Sequence, residues 1–235
     1  MALTPCQRYR ARVTAEQTLR YPGSIPTAGP VSLHVQLGEL DRDIRILRSL
    51  PTIADRIDMK RDILLPKWQP VVAEYLGAGK VFNNPIFAHC VIWLFDVGEF
   101  DQALAWADIA ISQGQETPDN FKSSFAAFVA DTVLAWAETQ SALGHSIEPY
   151  FSQTFSNVRE KWRLHEEISA KWFKFAGLYL LRDDKGEPRA TAIDDVELLK
   201  QADGLLAQAH AFDNKSGVKT ARERITARIR KLTAE

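Results

Sequence analysis

Apolar residues recur at helical spacing along most of this chain, and that periodicity constrains its fold more than any other feature. Runs of alternating Val, Ile and Thr bounded by tight glycine turns, which are typical of strands, are nearly absent. Of the 235 residues, 46% are hydrophobic, with six Trp and twelve Phe, and this composition excludes a disordered chain. The sequence therefore predicts an all-α protein with a sizeable core.

The predicted domain organisation has three parts. Residues 21–30 hold three Pro and two Gly, so they form a linker that makes residues 1–30 a basic N-terminal arm. Residues 31–62 form a predicted αα-hairpin, because Pro51 interrupts the helical pattern there. Residues 63–235 form a predicted helical core that ends in a basic helix.

The hairpin carries a short heptad seam. Its apolar residues are spaced alternately by four and three: Leu33, Leu37, Leu40, Ile44 and Leu47. About two heptads are too few for a freestanding coiled coil. The seam either folds back on its own chain or pairs with a neighbouring subunit, and the sequence leaves both open. The hairpin is therefore a candidate oligomerisation element of a homo-oligomer.

The core contains two helix pairs with a tetratricopeptide-like pattern. In the first pair, Asn84-Pro85 starts a bulky helix and a turn follows at residues 98–101. The next helix carries small residues that allow close approach. Residues 172–213 form a second, looser pair. Because unlike helices separate the two pairs, no regular solenoid is expected.

Basic residues concentrate at the two ends of the chain. Residues 1–30 carry four Arg against one acid, and residues 215–231 carry seven Lys or Arg against one acid. Because the whole chain has a net charge of −1 and Glu235 lies outside both ends, residues 31–214 carry −9. This distribution favours contact of the termini with a polyanion and of the body with something else. The alternative is that each end is only a solvated helix face.

The N-terminal arm holds the stronger candidate site. Arg8 and Arg12 are four residues apart and share a helix face, and Tyr9 lies beside Arg8. Planar guanidinium groups suit phosphates, and a tyrosine can stack on bases or bond to backbone oxygens. The arm is therefore predicted to grip a phosphate backbone.

The C-terminal basic helix, whose predicted start is Asn214, offers two basic stripes. The first stripe supplies the secondary candidates for DNA contact: Lys215, Lys219 and Arg222. The second stripe holds Arg224, Arg228 and Lys231. The alternative is that both stripes only solubilise a helix whose apolar face packs on the core.

No catalytic residue, metal site or cofactor site is predicted. The five His include no pair four residues apart, the two Cys lie far apart, and His89 is expected to be a hydrogen-bonded core residue. Gly77-Ala-Gly79-Lys80 lacks the first glycine and the Ser or Thr of a phosphate loop, which favours a helix-ending glycine turn. Asp58-x-Lys60 and Asp183-x-Lys185 match only the shortest part of a two-metal nuclease pattern. With no signal peptide and no apolar run of about 18 residues, an intracellular protein without membrane contact is expected.

Four stretches together indicate a family. They are Thr4-Pro-Cys-Gln-Arg8-Tyr-Arg-Ala-Arg12-Val, Lys60-Arg-Asp-Ile-Leu-Leu-Pro66-Lys-Trp68-Gln-Pro70, Trp93-Leu-Phe-Asp96-Val-Gly98-Glu-Phe-Asp-Gln-Ala103-Leu, and Gly217-Val-Lys219. Over nearly its whole length the chain resembles the terminase small subunits of P2-like tailed phages, some of which are labelled terminase endonuclease subunits.

The resemblance implies a role in packaging phage DNA in the cytoplasm of the infected host, and the lack of a catalytic pattern in the sequence favours a non-catalytic role. Such a subunit binds double-stranded viral DNA, assembles as a homo-oligomer and hands the DNA to the large ATPase subunit. The resemblance and the chemistry of the arm together give the predicted DNA-binding residues: Gln7, Arg8, Tyr9, Arg10, Arg12 and Arg20. Two alternatives stay open, a metal-dependent terminase endonuclease subunit and a helical-repeat adaptor that binds proteins.

Overall fold

The computed structural model describes residues 33–183 and 185–234. Every regular element in that part of the chain is helical, which confirms the all-α prediction. The described residues divide into two compact units, one up to residue 122 and the other from residue 123 onwards. The α-helices of the first unit are α1 (Leu33–Ser49), α2 (Ile53–Met59), α3 (Leu65–Ala78), α4 (Pro85–Val97) and α5 (Phe100–Ser112). Those of the second are α6 (Phe125–Ala142), α7 (Tyr150–Glu160), α8 (Glu166–Tyr179), α9 (Val196–Phe212) and α10 (Lys219–Thr233).

Helix α4 is the centre of the first unit. The side chain of Asn84 caps it by accepting hydrogen bonds from the backbone N–H groups of Ile86 (3.0 Å) and Phe87 (3.2 Å). Gly98 ends the helix in the left-handed region with φ of +83°. Helix α5 packs against α4 through buried small residues: Ala103, Ala107 and Ala110. The sequence predicted this helix pair and its turn, although its tetratricopeptide-like character stays a prediction.

The heptad seam of α1 faces its own chain. Leu40 and Leu47 are buried, and α1 contacts α2 and α4. The rest of the seam is half-buried: Leu33, Leu37 and Ile44. Within one chain, the seam therefore packs on its own helices, and its pairing with a neighbouring subunit stays a prediction.

The helix after the Pro51 break does not stop at residue 62. A π-helical segment, Lys60–Leu64, joins α2 to α3 without interruption. Asp43 holds α3 against α1 by accepting hydrogen bonds from Trp68 Nε1 at 2.9 Å and Lys67 Nζ at 2.8 Å. The division between hairpin and core at residue 62 therefore falls inside a continuous helix, and as a domain boundary it stays a prediction.

The second unit is built on aromatic residues. The Trp172 ring stacks on Phe151 and Phe155, with ring centroids 5.3 and 6.0 Å apart. Helices α8 and α9 approach closely at Gly177, where an added Cβ would lie 2.8 Å from Leu206 Cγ. This pair corresponds to the predicted looser pair at residues 172–213.

Candidate nucleic-acid interface

A tight turn fixes the start of the basic helix α10. The Asp213 carboxylate accepts a hydrogen bond from the Lys215 N–H at 2.8 Å, and Gly217 follows with φ of +74°. Lys174 Nζ, on α8, donates to the Ser216 carbonyl oxygen at 2.8 Å. The predicted start at Asn214 is wrong for this reason: the side-chain and glycine turn delays the helix until Lys219.

One face of α10 is anchored in the core of the second unit. Val218 and Ile225 are buried in the same apolar cluster as Leu199 and Leu206 of α9. Further apolar residues of α10 are partly buried against it: Ala221, Ile229 and Leu232. These positions recur at helical spacing, so the stripe turns a single side of α10 towards the body.

Two arginines bind the flanks of that apolar face. Arg222 donates from Nε to Asp203 Oδ1 at 2.8 Å and from Nη2 to Asp203 Oδ2 at 3.2 Å. These hydrogen bonds raise the pKa of Arg222 above its ordinary value. Arg228 donates to the Ile193 carbonyl oxygen at 3.0 Å and forms an ion pair with Asp194. Two of the seven basic residues in 215–231 therefore fasten the helix to the body.

The opposite side of α10 carries exposed cations in two rows. Lys219 and Arg230 lie on the first row with Glu223 between them, and Arg224 and Lys231 lie on the second. All four cations are exposed, and within residues 33–183 and 185–234 none forms an ion pair. The first row borders an open groove of about 580 Å³ whose wall also includes His210, at the end of α9. We call these four cations the outer rows.

The residues predicted to contact DNA differ in where the structure places them. The arm residues Gln7, Arg8, Tyr9, Arg10, Arg12 and Arg20 lie outside the described residues. Lys215 and Lys219 are exposed, whereas Arg222 is engaged with Asp203. Sequence reasoning did not select Arg230, because its position beside the groove depends on the packing of α10 on α9.

The remaining motifs singled out in the sequence have structural roles. Gly79 ends α3 with φ of +66°, which confirms the glycine turn. His89 is half-buried and its Nδ1 lies 2.8 Å from the Pro85 carbonyl oxygen, as expected of a hydrogen-bonded core histidine. Lys60 forms an ion pair with Asp96 at 2.7 Å. The Asp183 carboxylate accepts hydrogen bonds from backbone N–H groups in its own turn, which lower its pKa.

Two kinds of feature are absent from the described part of the chain. No three side chains of His, Cys, Asp or Glu come together there as a metal site requires. No helix among the described residues is long and apolar enough to cross a membrane.

Comparison with known proteins identifies the family. A family model described as "Phage small terminase subunit" matches residues 37–167, more than half of the chain. The chain belongs to the phage small terminase subunit family. This membership confirms the resemblance seen in the sequence and gives the chain a role in DNA packaging by a phage terminase. Helices α9 and α10 lie beyond the matched residues.

Two relatives of this small subunit extend the match. The "Probable terminase, endonuclease subunit" of Haemophilus phage HP1 is 42% identical over 193 residues, which cover 82% of this chain and 69% of that protein. The "Terminase, endonuclease subunit" of Escherichia phage P2 is 26% identical over 222 residues, covering 94% of this chain and 84% of that protein. No solved structure matches the small subunit.

Proposed function

We propose that this terminase small subunit binds double-stranded viral DNA and delivers it, as a homo-oligomer in the host cytoplasm, to the large subunit. The observation that carries the proposal is the division of the basic residues on α10. Arg222 and Arg228 are used to fasten the helix, while the outer rows face solvent without an internal partner among the described residues. Exposed cations on a helix that form no ion pair with a carboxylate are available to phosphates.

The dimensions of α10 suit a duplex. Lys219 and Arg230 are eleven residues apart, which corresponds to about 16 Å of helix. A duplex carries about one negative charge per 1.7 Å, so that length of DNA holds roughly nine phosphate charges. Four cations along this length therefore support backbone binding. Such contacts position DNA without reading its sequence.

The basic arm is the second part of the proposed interface. Its Arg8, Arg10 and Arg12 side chains supply guanidinium groups for the same kind of phosphate contact. The first unit is acidic by contrast, since residues 33–122 hold nine Lys or Arg and thirteen Asp or Glu. That charge disfavours a DNA contact and leaves the first unit for protein partners, including the large subunit.

The test compares two sets of charge removals on the same helix. The outer-row variant carries Lys219→Gln, Arg224→Gln, Arg230→Gln and Lys231→Gln, and the matched flank variant carries Arg222→Gln and Arg228→Gln. Affinity for a duplex is measured across a salt series. Each lost phosphate contact lowers the slope of log affinity against log salt by about 0.9, so the outer-row variant loses up to about 3.6 units of slope. The flank variant keeps the original slope.

An arm variant, with Arg8, Arg10 and Arg12 all changed to Ala, separates the two parts of the interface. A reduced slope in both the arm and outer-row variants supports the whole proposal. A reduction in the arm variant alone removes α10 from the interface. An unchanged slope in both variants refutes DNA binding by these residues.

Intrinsic nuclease activity is a second candidate function, and the names of both relatives favour it. A metal-dependent endonuclease cuts a cognate viral DNA fragment when Mg²⁺ is added to the purified chain alone. The comparison is the same incubation with the large subunit present. Cutting that needs the large subunit assigns the activity to that partner.

A further inference from the structure

The outward face of α1 has no partner among residues 33–183 and 185–234. Val35 and Ile46 are 50% and 53% exposed, although both are large aliphatic residues. They are eleven residues apart, which is about three helical turns, so they lie on the same side of α1. The buried Leu40 and Leu47 lie far round the helix from them. An exposed aliphatic pair on one side of an otherwise charged helix marks a contact surface.

Gly38 lies at the border of the same face, and no close contact with the described residues requires a glycine there. A Cβ placed on Gly38 would meet no atom within 4 Å. A glycine inside a helix destabilises it relative to alanine, so open space alone gives no reason for one there. The missing side chain leaves a notch one turn before Arg42, where another backbone can approach closely.

The charges on this face are complementary to those of a second copy of α1 that runs in the opposite direction. The point between Leu40 and Asp41 lies midway between Val35 and Ile46. It also lies midway between Glu39 and Arg42. A twofold axis at that point therefore places each Val35 opposite the other chain's Ile46, and each Glu39 opposite the other chain's Arg42. Parallel pairing would instead set like charges against each other.

Both charged groups are available for such a pairing. Arg42 is exposed and forms no ion pair with the described residues. Glu39 lies 3.7 Å from Lys67 Nζ, but that ammonium group is held more closely by Asp43, at 2.8 Å.

We propose that α1 pairs antiparallel with α1 of a second copy of this chain, with Val35 against Ile46 and Glu39 against Arg42 across a twofold axis. The partner is a second copy because the face matches its own reverse in both apolar contact and charge. The inference rests on the homo-oligomer in the proposed function and specifies its contact. Its test uses no DNA, so it can fail while DNA binding stands.

The first experiment reads the orientation by disulfide cross-linking in a full-length Cys6→Ser background. Cys90 is buried and stays in place. One preparation carries Val35→Cys, a second carries Ile46→Cys, and they are oxidised separately and as an equal mixture. Antiparallel pairing predicts that the mixture cross-links between the two variants at least about tenfold faster than either preparation alone. The control is Asp41→Cys, an exposed position on another side of α1.

A mixture that cross-links no faster than the Asp41→Cys control overturns the proposal. So do links formed mainly within the Val35→Cys preparation alone, because these indicate parallel pairing.

The second experiment exchanges the charges and measures self-association by sedimentation velocity. Glu39→Arg and Arg42→Glu each place like charges opposite each other, so each single variant weakens association by about tenfold or more. The double variant restores the ion pairs in reverse and returns association to within about threefold of the original. Arg45→Glu, an exposed change on the same helix outside the pair, is the matched control and leaves association unchanged. A double variant as weak as the singles, or singles equal to Arg45→Glu, refutes the pairing.

Discussion

Helices α4 and α10 bury their apolar residues in opposite ways. Nine of the thirteen residues of α4 are buried, so neighbours cover it on almost every side. Helix α10 has fifteen residues, of which Ile225 alone is buried, and its other apolar residues are only partly covered. The difference shows that α4 is a structural centre with little surface left for a ligand. Helix α10 leaves most of its circumference exposed.

The largest expected effect tests the burial of α4. Replacing Phe87 by Ala removes a fully buried ring and leaves a cavity, so the free energy of unfolding falls by about 3–5 kcal/mol. Urea unfolding measures the change. Lys231→Ala, at an exposed position on α10, is the control and changes stability by about 0.5 kcal/mol or less. Equal effects of the two substitutions would contradict the contrast between the helices.

The end of α4 gives the next largest effect. Gly98 has φ of +83°, and a Cβ there strains the backbone by about 1–2 kcal/mol. Gly98→Ala therefore destabilises the first unit by that amount in the same unfolding assay. Gly204→Ala, in the middle of α9 with open space around it, stabilises by about 0.5–1 kcal/mol. A stabilising Gly98→Ala would show that the turn after α4 does not need its left-handed residue.

The two classes of arginine on α10 differ by a smaller amount. Arg222→Gln combined with Arg228→Gln removes two ion pairs and a hydrogen bond to a carbonyl, which lowers stability by about 1 kcal/mol. Arg224→Gln combined with Arg230→Gln removes the same charge from exposed positions and changes stability by about 0.5 kcal/mol or less. Chemical denaturation of both variants, beside the DNA salt series, tells whether anchoring and binding residues are distinct. A larger loss from the exposed pair would reverse the assignment.

The smallest expected effect is a dependence of stability on pH that arises from His89 on α4. Burial lowers the pKa of His89 below its ordinary value of 6.5, against the hydrogen bond to Pro85, which raises it. The unfolded chain then binds the proton more readily than the folded chain, so stability is retained above about pH 6.5 and falls below it. His89→Gln reduces this loss between pH 7.5 and 5.5, and Lys231→Gln, at an exposed position without a titration in this range, is the control. Identical pH profiles for the original chain and His89→Gln would exclude this histidine as the source.

The sequence predicted what depends on neighbours along the chain. The first helix pair was found because Asn84 and Gly98 are local signals that act within one turn of their helices. The all-α class followed from periodicity in the same way. The start of α10 was missed by five residues, because Asp213 and Gly217 form a turn that a helical pattern does not reveal.

The candidate site depends on contacts between distant residues, and there the sequence was less informative. Lys215, Lys219 and Arg222 appear equivalent in the sequence as cations on one stripe. Only packing shows that Asp203, nineteen residues earlier, occupies Arg222. The same holds for Asp194 and Arg228, which lie 34 residues apart. Charge counts therefore locate a basic helix, whereas the tertiary structure decides which of its charges are available.

The division of the α10 cations into paired and exposed residues has a consequence for how related phages diverge. Asp203 and Asp194 constrain two basic positions, and folding places little demand on the exposed ones. Substitutions at those exposed positions can therefore add or remove one charge at a time while the helix stays packed on α9. Under the proposed DNA binding by α10, such substitutions tune affinity for the viral genome one charge at a time and leave the packing of the helix unchanged.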